Sequence, residues 1–233
     1  VLHYGDIRFG SVRPSSNNPS SITLLKGAHS TYHVRPPSIR KIHGRETELE
    51  SLDKWFGGKA AGMLIHGIAG TGKTTLISHW TQSLLDRMPS LRLMFYPCHP
   101  WDSPLGLSIS LLHRLGVESR TEGRWDPHDL LETLPKSPGA AFDIDLFRRR
   151  LIEYLTDPMA LRERIFTDHE STSEVPPYIL LVIDDAHHLA EMGQHLFGAL
   201  LQVAEVTPLR LLFVSRTSMS FYDRRDVLTR GKM

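Results

Sequence analysis

The stretch that decides the fold is Gly67-Ile68-Ala69-Gly70-Thr71-Gly72-Lys73-Thr74-Thr75. It fits the pattern G-x-x-x-x-G-K-S/T at every fixed position. The short apolar run Met63-Leu64-Ile65 precedes it and predicts a buried strand, and apolar residues at helical spacing follow it as far as Pro89. Backbone N–H groups and a helix N-terminus bind phosphate in this context. The pattern therefore predicts a phosphate-binding loop, with a chance match of the glycines as the weaker interpretation.

The side chains of this loop have separate predicted roles. Lys73 can reach the β- and γ-phosphates of a nucleotide, and the Thr74 hydroxyl can ligate Mg²⁺. The glycines allow backbone N–H groups to turn towards an anion. The predicted nucleotide-binding residues of the loop are Gly67, Ala69, Gly70, Thr71, Gly72, Lys73, Thr74 and Thr75.

A second signal is the apolar run Ile179-Leu180-Leu181-Val182-Ile183, which ends in two acids. Such a run is typical of a strand that is buried on both faces of a parallel sheet, and ligands bind at the carboxyl ends of such strands. Asp184 is therefore the expected Mg²⁺ partner. Asp185 is the candidate that orients or activates the attacking water, because phosphoryl transfer depends mainly on placement. The weaker interpretation is a strand whose acids cap the next helix.

The segment Ile42-His43-Gly44-Arg45-Glu46-Thr47-Glu48 precedes the phosphate-binding loop and resembles the hhGRExE signature of the signal-transduction NTPases with numerous domains. This STAND class includes NB-ARC and NACHT domains of immune receptors and LuxR-type bacterial transcription regulators. The resemblance implies that Gly44 and Arg45 lie beside the adenine. The resemblance covers about residues 42–217. The Asp-Asp pair favours this class over origin-recognition-type AAA+ loaders, in which Asp-Glu is usual.

The run Leu209-Arg210-Leu211-Leu212-Phe213-Val214-Ser215 predicts another buried strand, and it resembles the sensor strand of the same class. The resemblance makes Arg216 the candidate γ-phosphate sensor, since a guanidinium suits a pair of phosphate oxygens. An ordinary arginine in a strand–helix loop is the alternative interpretation.

The fold class predicted from these signals is a three-layer α/β core with helices on both faces of a mainly parallel sheet. Strands are expected near 63–66, 91–96, 179–184 and 209–215, and helices near 45–57, 73–88, 104–115, 130–134, 144–155 and 193–206. The resemblance implies the strand order fifth strand, phosphate-loop strand, sensor strand, Asp-Asp strand, second strand.

The C-terminal tail, Phe221 to Met233, contains no convincing apolar strand. The fifth strand and the helical lid of the resembled class are therefore predicted to be missing, which exposes one edge of the phosphate-loop strand. Either Ile22-Thr23-Leu24-Leu25 covers this edge or the chain self-associates, and the second outcome is favoured because ordering a distant short strand costs loop-closure entropy.

Composition divides the chain into a basic arm (1–41), a nucleotide-binding domain (42–217) and a polar tail (218–233). Residues 1–44 contain six Lys or Arg and one Asp, although the net charge of the whole chain is +1. The arm could contact nucleic acid or an acidic partner, but a solvated, disordered linker is the favoured interpretation.

Other features bound the location and exclude some sites. No apolar run is long enough to span a membrane, and no secretory signal is visible. The lone Cys98 suits a reducing cytoplasm. His187-His188 and Cys98-His99 lack the spacing of a metal site, and Arg148-Arg149-Arg150 fits a solvated helix face better than an anion site.

The predicted function is Mg²⁺-dependent binding of ATP or ADP by a module of a signalling or regulatory switch, with slow hydrolysis at most. Protein partners or self-association are expected for such a switch. One alternative is an AAA+-type ATPase that acts on DNA, and another is a non-enzymatic, truncated nucleotide-binding fragment. Whether the chain is an ATPase stays open, since no arginine finger or lid is visible in the sequence.

Overall fold

The computed structural model describes residues 42–88, 91–115, 128–135, 140–157, 178–219 and 227–230. The basic arm, including Ile22-Thr23-Leu24-Leu25, and most of the polar tail lie outside the described residues. The expectations of a disordered arm and of a folded-back strand therefore stay untested.

Helices and strands occur close to their expected positions. The helices are α1 (Glu46–Phe56), α2 (Lys73–Arg87), α3 (Pro104–Arg114), α4 (His128–Leu131), α5 (Ile144–Thr156) and α6 (Gln194–Val206). The strands are β1 (Gly62–His66), β2 (Arg92–Pro97), β3 (Ile179–Asp184), β4 (Leu209–Ser215) and β5 (Val227–Arg230). A single 3₁₀ turn, Ala186–His188, follows β3.

Local capping explains where two of the helices begin. The Ser103 side chain accepts a hydrogen bond from the Gly106 amide, and Pro104 occupies the first turn of α3. The Asp143 carboxylate accepts a hydrogen bond from the Leu146 amide in the same way at the start of α5. In contrast, α2 begins directly after Gly72 with no side-chain cap, so its first amides face the phosphate-binding loop.

The five strands form one parallel sheet in the order β2-β3-β4-β1-β5. This is the order that the resemblance implied, and the α/β fold class is confirmed. Gly62 of β1 is paired with Leu211 of β4, and Ile179 of β3 is paired with Arg92 of β2. The carboxyl ends of β1, β3 and β4 therefore lie at one edge of the sheet.

The prediction of a missing fifth strand is corrected by β5. This strand pairs with β1 in parallel, from Gly62 opposite Val227 to Ile65 opposite Arg230. Only Val227 and Leu228 of this strand are apolar, so its sequence signal is weak, and its pairing provides partners for the backbone groups along one side of β1. The edge of β1 is therefore covered by this C-terminal segment, which removes the reason to expect self-association there.

Strand side chains alternate between two apolar cores, as the two-residue period of a strand requires. Met63 and Ile65 of β1 pack with α1 and α2 on one face of the sheet. Leu64 points to the other face, where it packs with buried residues of α3, α4, α5 and α6. These two cores confirm the three-layer arrangement. None of the helices in the described part of the chain is long and apolar enough to cross a membrane.

Candidate functional site

The phosphate-binding loop leads from the carboxyl end of β1 to the first residue of α2. The Gly67 amide donates to the Ser215 carbonyl (3.3 Å), which ties the loop to the end of β4. Gly70 and Gly72 have φ angles of +82° and +79°, in the left-handed region that glycine adopts without strain. A Cβ atom would meet nothing within 4 Å at either glycine, so the backbone conformation, not lack of space, demands them. Ala69 of the loop and Thr75 on the first turn of α2 are exposed.

Lys73 is buried and turned back onto the loop. Its Nζ donates to the carbonyl oxygens of Gly67 (2.7 Å) and Ile68 (2.9 Å). Burial lowers the pKa of this ammonium, and the nearby carboxylates of Asp185 and Asp184 oppose that effect. The loop carbonyls thus hold a positive charge at the place where the sequence predicted contacts with phosphate.

Thr74 and Asp184 come together although they are far apart in sequence. The Thr74 hydroxyl donates to Asp184 Oδ2 (2.9 Å), and the Asp185 amide donates to Asp184 Oδ1 (2.9 Å). Asp184 is only 5% exposed, and burial raises the pKa of its carboxyl group. Two oxygens that ligate one octahedral Mg²⁺ at adjacent corners lie about 3 Å apart. The oxygen donors and their separation therefore fit this ion.

Asp185 lies at the turn between β3 and the 3₁₀ segment, with a left-handed φ of +48°. Its Oδ1 lies 3.6 Å from Arg216 Nε and 3.8 Å from His187 Nδ1. Burial, followed by the neighbouring His188, lowers the pKa of His187. Arg216 is half-exposed. The 3.6 Å separation places Asp185 and Arg216 opposite each other across the ends of β3 and β4. The sequence placed both residues near the reacting phosphate but gave no indication that they contact one another.

Gly44 and Arg45 lie at the entrance to α1. Gly44 adopts a φ of +74° and is exposed. The Arg45 guanidinium donates to the Thr71 carbonyl (2.9 Å) and pairs with Glu48 (3.0 Å). Arg45 thus contacts the backbone of the phosphate-binding loop, and its implied role beside the adenine stays untested.

One backbone contact outside the motifs also positions the acid pair. The Cys98 amide donates to the Asp184 carbonyl (2.8 Å), which joins the end of β2 to the acid pair. No sequence pattern marks this backbone contact.

Within the described ranges no three His, Cys, Asp or Glu residues are grouped to hold a metal ion. On α5, Arg150 pairs with Glu153 (2.8 Å), which supports the solvated-face interpretation of the arginine run.

A glycine-rich loop between a central parallel strand and a helix, with lysine, hydroxyl and carboxylate groups at one sheet edge, defines a P-loop NTPase. The model of the AAA ATPase domain family matches residues 41–214, and the chain belongs to this family. Membership implies nucleotide and Mg²⁺ binding in general.

Two kinds of relative were found. The "ORC1-type DNA replication protein 2" of Thermoplasma acidophilum is 24% identical over 90 residues, which are 39% of this chain and 22% of that protein. The structure of the Aeropyrum pernix ORC1 protein in complex with DNA has a TM-score of 0.52 and 16% identity, and it covers 81% of this chain and 45% of that one. The structure of Drosophila ORC bound to DNA has a TM-score of 0.49 and 18% sequence identity. The similarity covers 81% of this chain and 42% of that chain. This chain thus spans less than half the length of each relative.

These comparisons confirm the P-loop class and leave the STAND branch unsupported. The interpretation of Asp185 as a mark against origin-recognition-type proteins gains no support either, since the curated relative is of the ORC1 type. A difference of one methylene between Asp and Glu is too weak a signal to separate two branches of one fold.

Proposed function

We propose that this chain is the nucleotide module of an AAA-type ATPase that acts on DNA, and that it binds ATP or ADP together with Mg²⁺. The observation that carries the proposal is the 2.9 Å contact between the Thr74 hydroxyl and the Asp184 carboxylate. This contact places two ligands suited to Mg²⁺ beside the buried Lys73, at the uncapped N-terminus of α2.

The residues of the site divide the work of binding. The loop amides that follow Gly67, as far as Gly72, and the N-terminus of α2 would hold the phosphate oxygens, and Lys73 would exchange its two carbonyl acceptors for phosphate. Thr74 and Asp184 would hold Mg²⁺, which neutralises charge on the β- and γ-phosphates when bound. The exposed Ala69 and Thr75 border this space.

Hydrolysis would depend on Asp185 and Arg216. Asp185 is 42% exposed, which leaves it accessible to a water molecule that it can orient. In the structure one of its oxygens faces both Arg216 and His187. A phosphate would compete for Arg216, so we expect turnover to be slow until the nucleotide draws Arg216 away from Asp185.

Action on DNA is supported by the relatives and by charge. The curated relative is a DNA replication protein, and the basic arm has the sign of charge that phosphate backbones attract. The signalling switch rests on the sequence resemblance to the STAND class alone. The truncated-fragment alternative is disfavoured because the loop, the acid pair and Arg216 meet at one edge of the sheet.

The test of nucleotide binding is a calorimetric titration with ATP and ADP, with Mg²⁺ or with a chelator. We expect Lys73→Ala to weaken binding by about 100-fold, because a charge-assisted contact with phosphate contributes up to ~3 kcal/mol. Lys59→Ala, which removes an exposed lysine before β1, is the matched control and should bind like the wild type. Equal affinity of the Lys73 variant and the wild type would contradict the site.

The test of action on DNA is turnover and binding with duplex DNA over a series of salt concentrations. We expect DNA to raise turnover and to bind less tightly as salt increases, since counterions are released on binding. A chain that binds Mg²⁺ and ATP but neither binds DNA nor changes turnover with it would favour the signalling switch.

A further inference from the structure

The GRExE residues, which span the entrance and first turn of α1, form one connected arrangement that ends on the phosphate-binding loop. The Gly44 amide donates to the Glu46 carboxylate (3.3 Å), which closes the turn into α1. Arg45 Nη1 donates to Glu48 (3.0 Å), and Arg45 Nη2 donates to the Thr71 carbonyl (2.9 Å). The GRExE segment therefore contacts the phosphate-binding loop through the Arg45 guanidinium.

The acceptor of this contact lies at a sensitive point of the loop. Thr71 is flanked by Gly70 and Gly72, and both glycines have positive φ angles. In a planar trans peptide the C=O and the following N–H point in opposite directions. A bond that fixes the Thr71 carbonyl towards Arg45 therefore fixes the Gly72 N–H towards the opposite side of the loop.

We propose that Arg45 is a positioning residue that holds the Thr71–Gly72 peptide in the orientation that binds a polyphosphate chain. The inference rests on the proposed nucleotide binding and deepens it, since it assigns Arg45 to the phosphates and not to the base. The ligand class it serves is any nucleoside di- or triphosphate, whichever base it carries.

The geometry of the contact explains why an arginine is required. The forked guanidinium donates to Glu48 and to the Thr71 carbonyl from two different nitrogens at once, and a lysine ammonium lacks this planar fork. The arginine and glutamate side chains are only 31% and 23% exposed, so water competes weakly for the pair.

The anchor of Arg45 is rigid because α1 is well packed. Leu52, Trp55 and Phe56 of α1 are buried in the core beneath β1 and α2. A loop that is held in its binding conformation before the ligand arrives loses less entropy on binding. Removal of Arg45 should therefore weaken every polyphosphate ligand by a similar factor.

The experiment compares ATP and GTP affinities of the wild type, Arg45→Gln and Arg45→Lys. We expect Arg45→Gln to weaken both nucleotides about tenfold, as for the loss of one charge-assisted hydrogen bond, and to leave the ATP to GTP ratio unchanged. Arg45→Lys should recover part of the loss. Arg87→Gln is the matched control, since Arg87 pairs with Asp53 of α1 at the end of α2 that is far from the loop, and its affinities should equal those of the wild type.

Two results would overturn the inference. A loss confined to ATP would show that Arg45 contacts the base, and unchanged affinities would show that the contact does not position the loop.

A second measurement separates this inference from the proposed function. Nitrogen-15 relaxation of Gly70 and Gly72 in the nucleotide-free protein should show ordered amides in the wild type and lower order in Arg45→Gln. If the wild type binds neither nucleotide, the proposed function fails, and this loop measurement alone decides whether Arg45 positions the loop. Equal order in the two proteins would contradict the positioning role.

Discussion

At the scale of single residues, the site contains a buried carboxylate, Asp184, and the neighbouring Lys73 does not donate a hydrogen bond to it in the structure but to backbone carbonyls of the loop. Asp184 is 5% exposed, and burial raises its pKa, while Lys73 donates to loop carbonyls. An ionised carboxylate in such a place costs stability unless its hydrogen bonds and nearby charges compensate. A bound Mg²⁺ would compensate this buried negative charge, so the ionised Asp184 carboxylate would be more stable with the ion than without it.

We predict that Asp184→Asn stabilises the nucleotide-free chain by about 1 kcal/mol at neutral pH, because the neutral amide has a smaller desolvation cost. The amide oxygen can still accept from the Asp185 amide, and its NH₂ group can donate to Thr74. Chemical denaturation measures the gain, and an Mg²⁺ titration should show weaker Mg²⁺-dependent binding of ATP.

Asp185→Asn is the control for this prediction. Asp185 is partly exposed and lies near Arg216, so removing its charge should bring no gain in stability. Equal stabilisation by the two variants would show that general charge repulsion, and not burial of Asp184, is responsible.

At the scale of secondary-structure elements, Asp53 joins α1 to α2. The Trp80 indole N–H donates to Asp53 Oδ1 (2.8 Å), and Arg87 donates to both carboxylate oxygens. Burial opposes ionisation, but these hydrogen bonds lower the Asp53 pKa overall. This contact lies at the end of α2 that is far from the phosphate-binding loop, so it stabilises the packing of α1 on α2 and not the loop itself.

We predict that Asp53→Ala lowers the free energy of unfolding by about 1–3 kcal/mol, because it leaves the N–H of the buried Trp80 without its acceptor. Urea denaturation provides the measurement. Arg87→Gln should cost less than about 1 kcal/mol, since the ion pair that it breaks is half-exposed. A larger loss for Arg87→Gln than for Asp53→Ala would assign the stabilisation to the ion pair instead.

The extent of successful prediction also differs between elements. The phosphate-binding loop and β3 were predictable because their signals are local: fixed spacing in one case and a continuous apolar run in the other. The contact between Arg45 and Thr71 was not predictable from spacing, since it joins two segments only through the packing of α1. The pairing of Asp185 with Arg216 escaped prediction because the implied strand order places β3 beside β4 but does not show which side chains meet at their ends.

At the scale of the whole molecule, the sheet is completed by a strand with a weak sequence signal. The resemblance implied the strand order, and the continuous apolar run of β3 predicted a strand that is buried on both faces of the sheet. β5 was missed because only Val227 and Leu228 are apolar, and pairing along an edge depends on backbone groups that no residue pattern reports.

We predict that deleting residues 220–233 lowers the melting temperature and causes concentration-dependent association, because the N–H and C=O groups along one side of β1 lose their partners. Differential scanning calorimetry and light scattering at several concentrations test this. Deleting residues 231–233 alone, which keeps β5, is the control and should change neither property. An unchanged melting temperature and a monomeric shorter chain would show that β5 contributes nothing to the edge.

The place of β1 between β4 and β5 also bears on the order in which the chain can fold. β1 is the first strand among the described residues, yet Gly62 is paired with Leu211 on one side and with Val227 on the other. Both pairings close very long loops, and parallel pairings of this kind form slowly. During synthesis the phosphate-binding loop would therefore emerge early and stay without its supporting strands until nearly all of these residues have been made. A nucleotide that binds only the completed loop would then favour the finished sheet over partly folded forms.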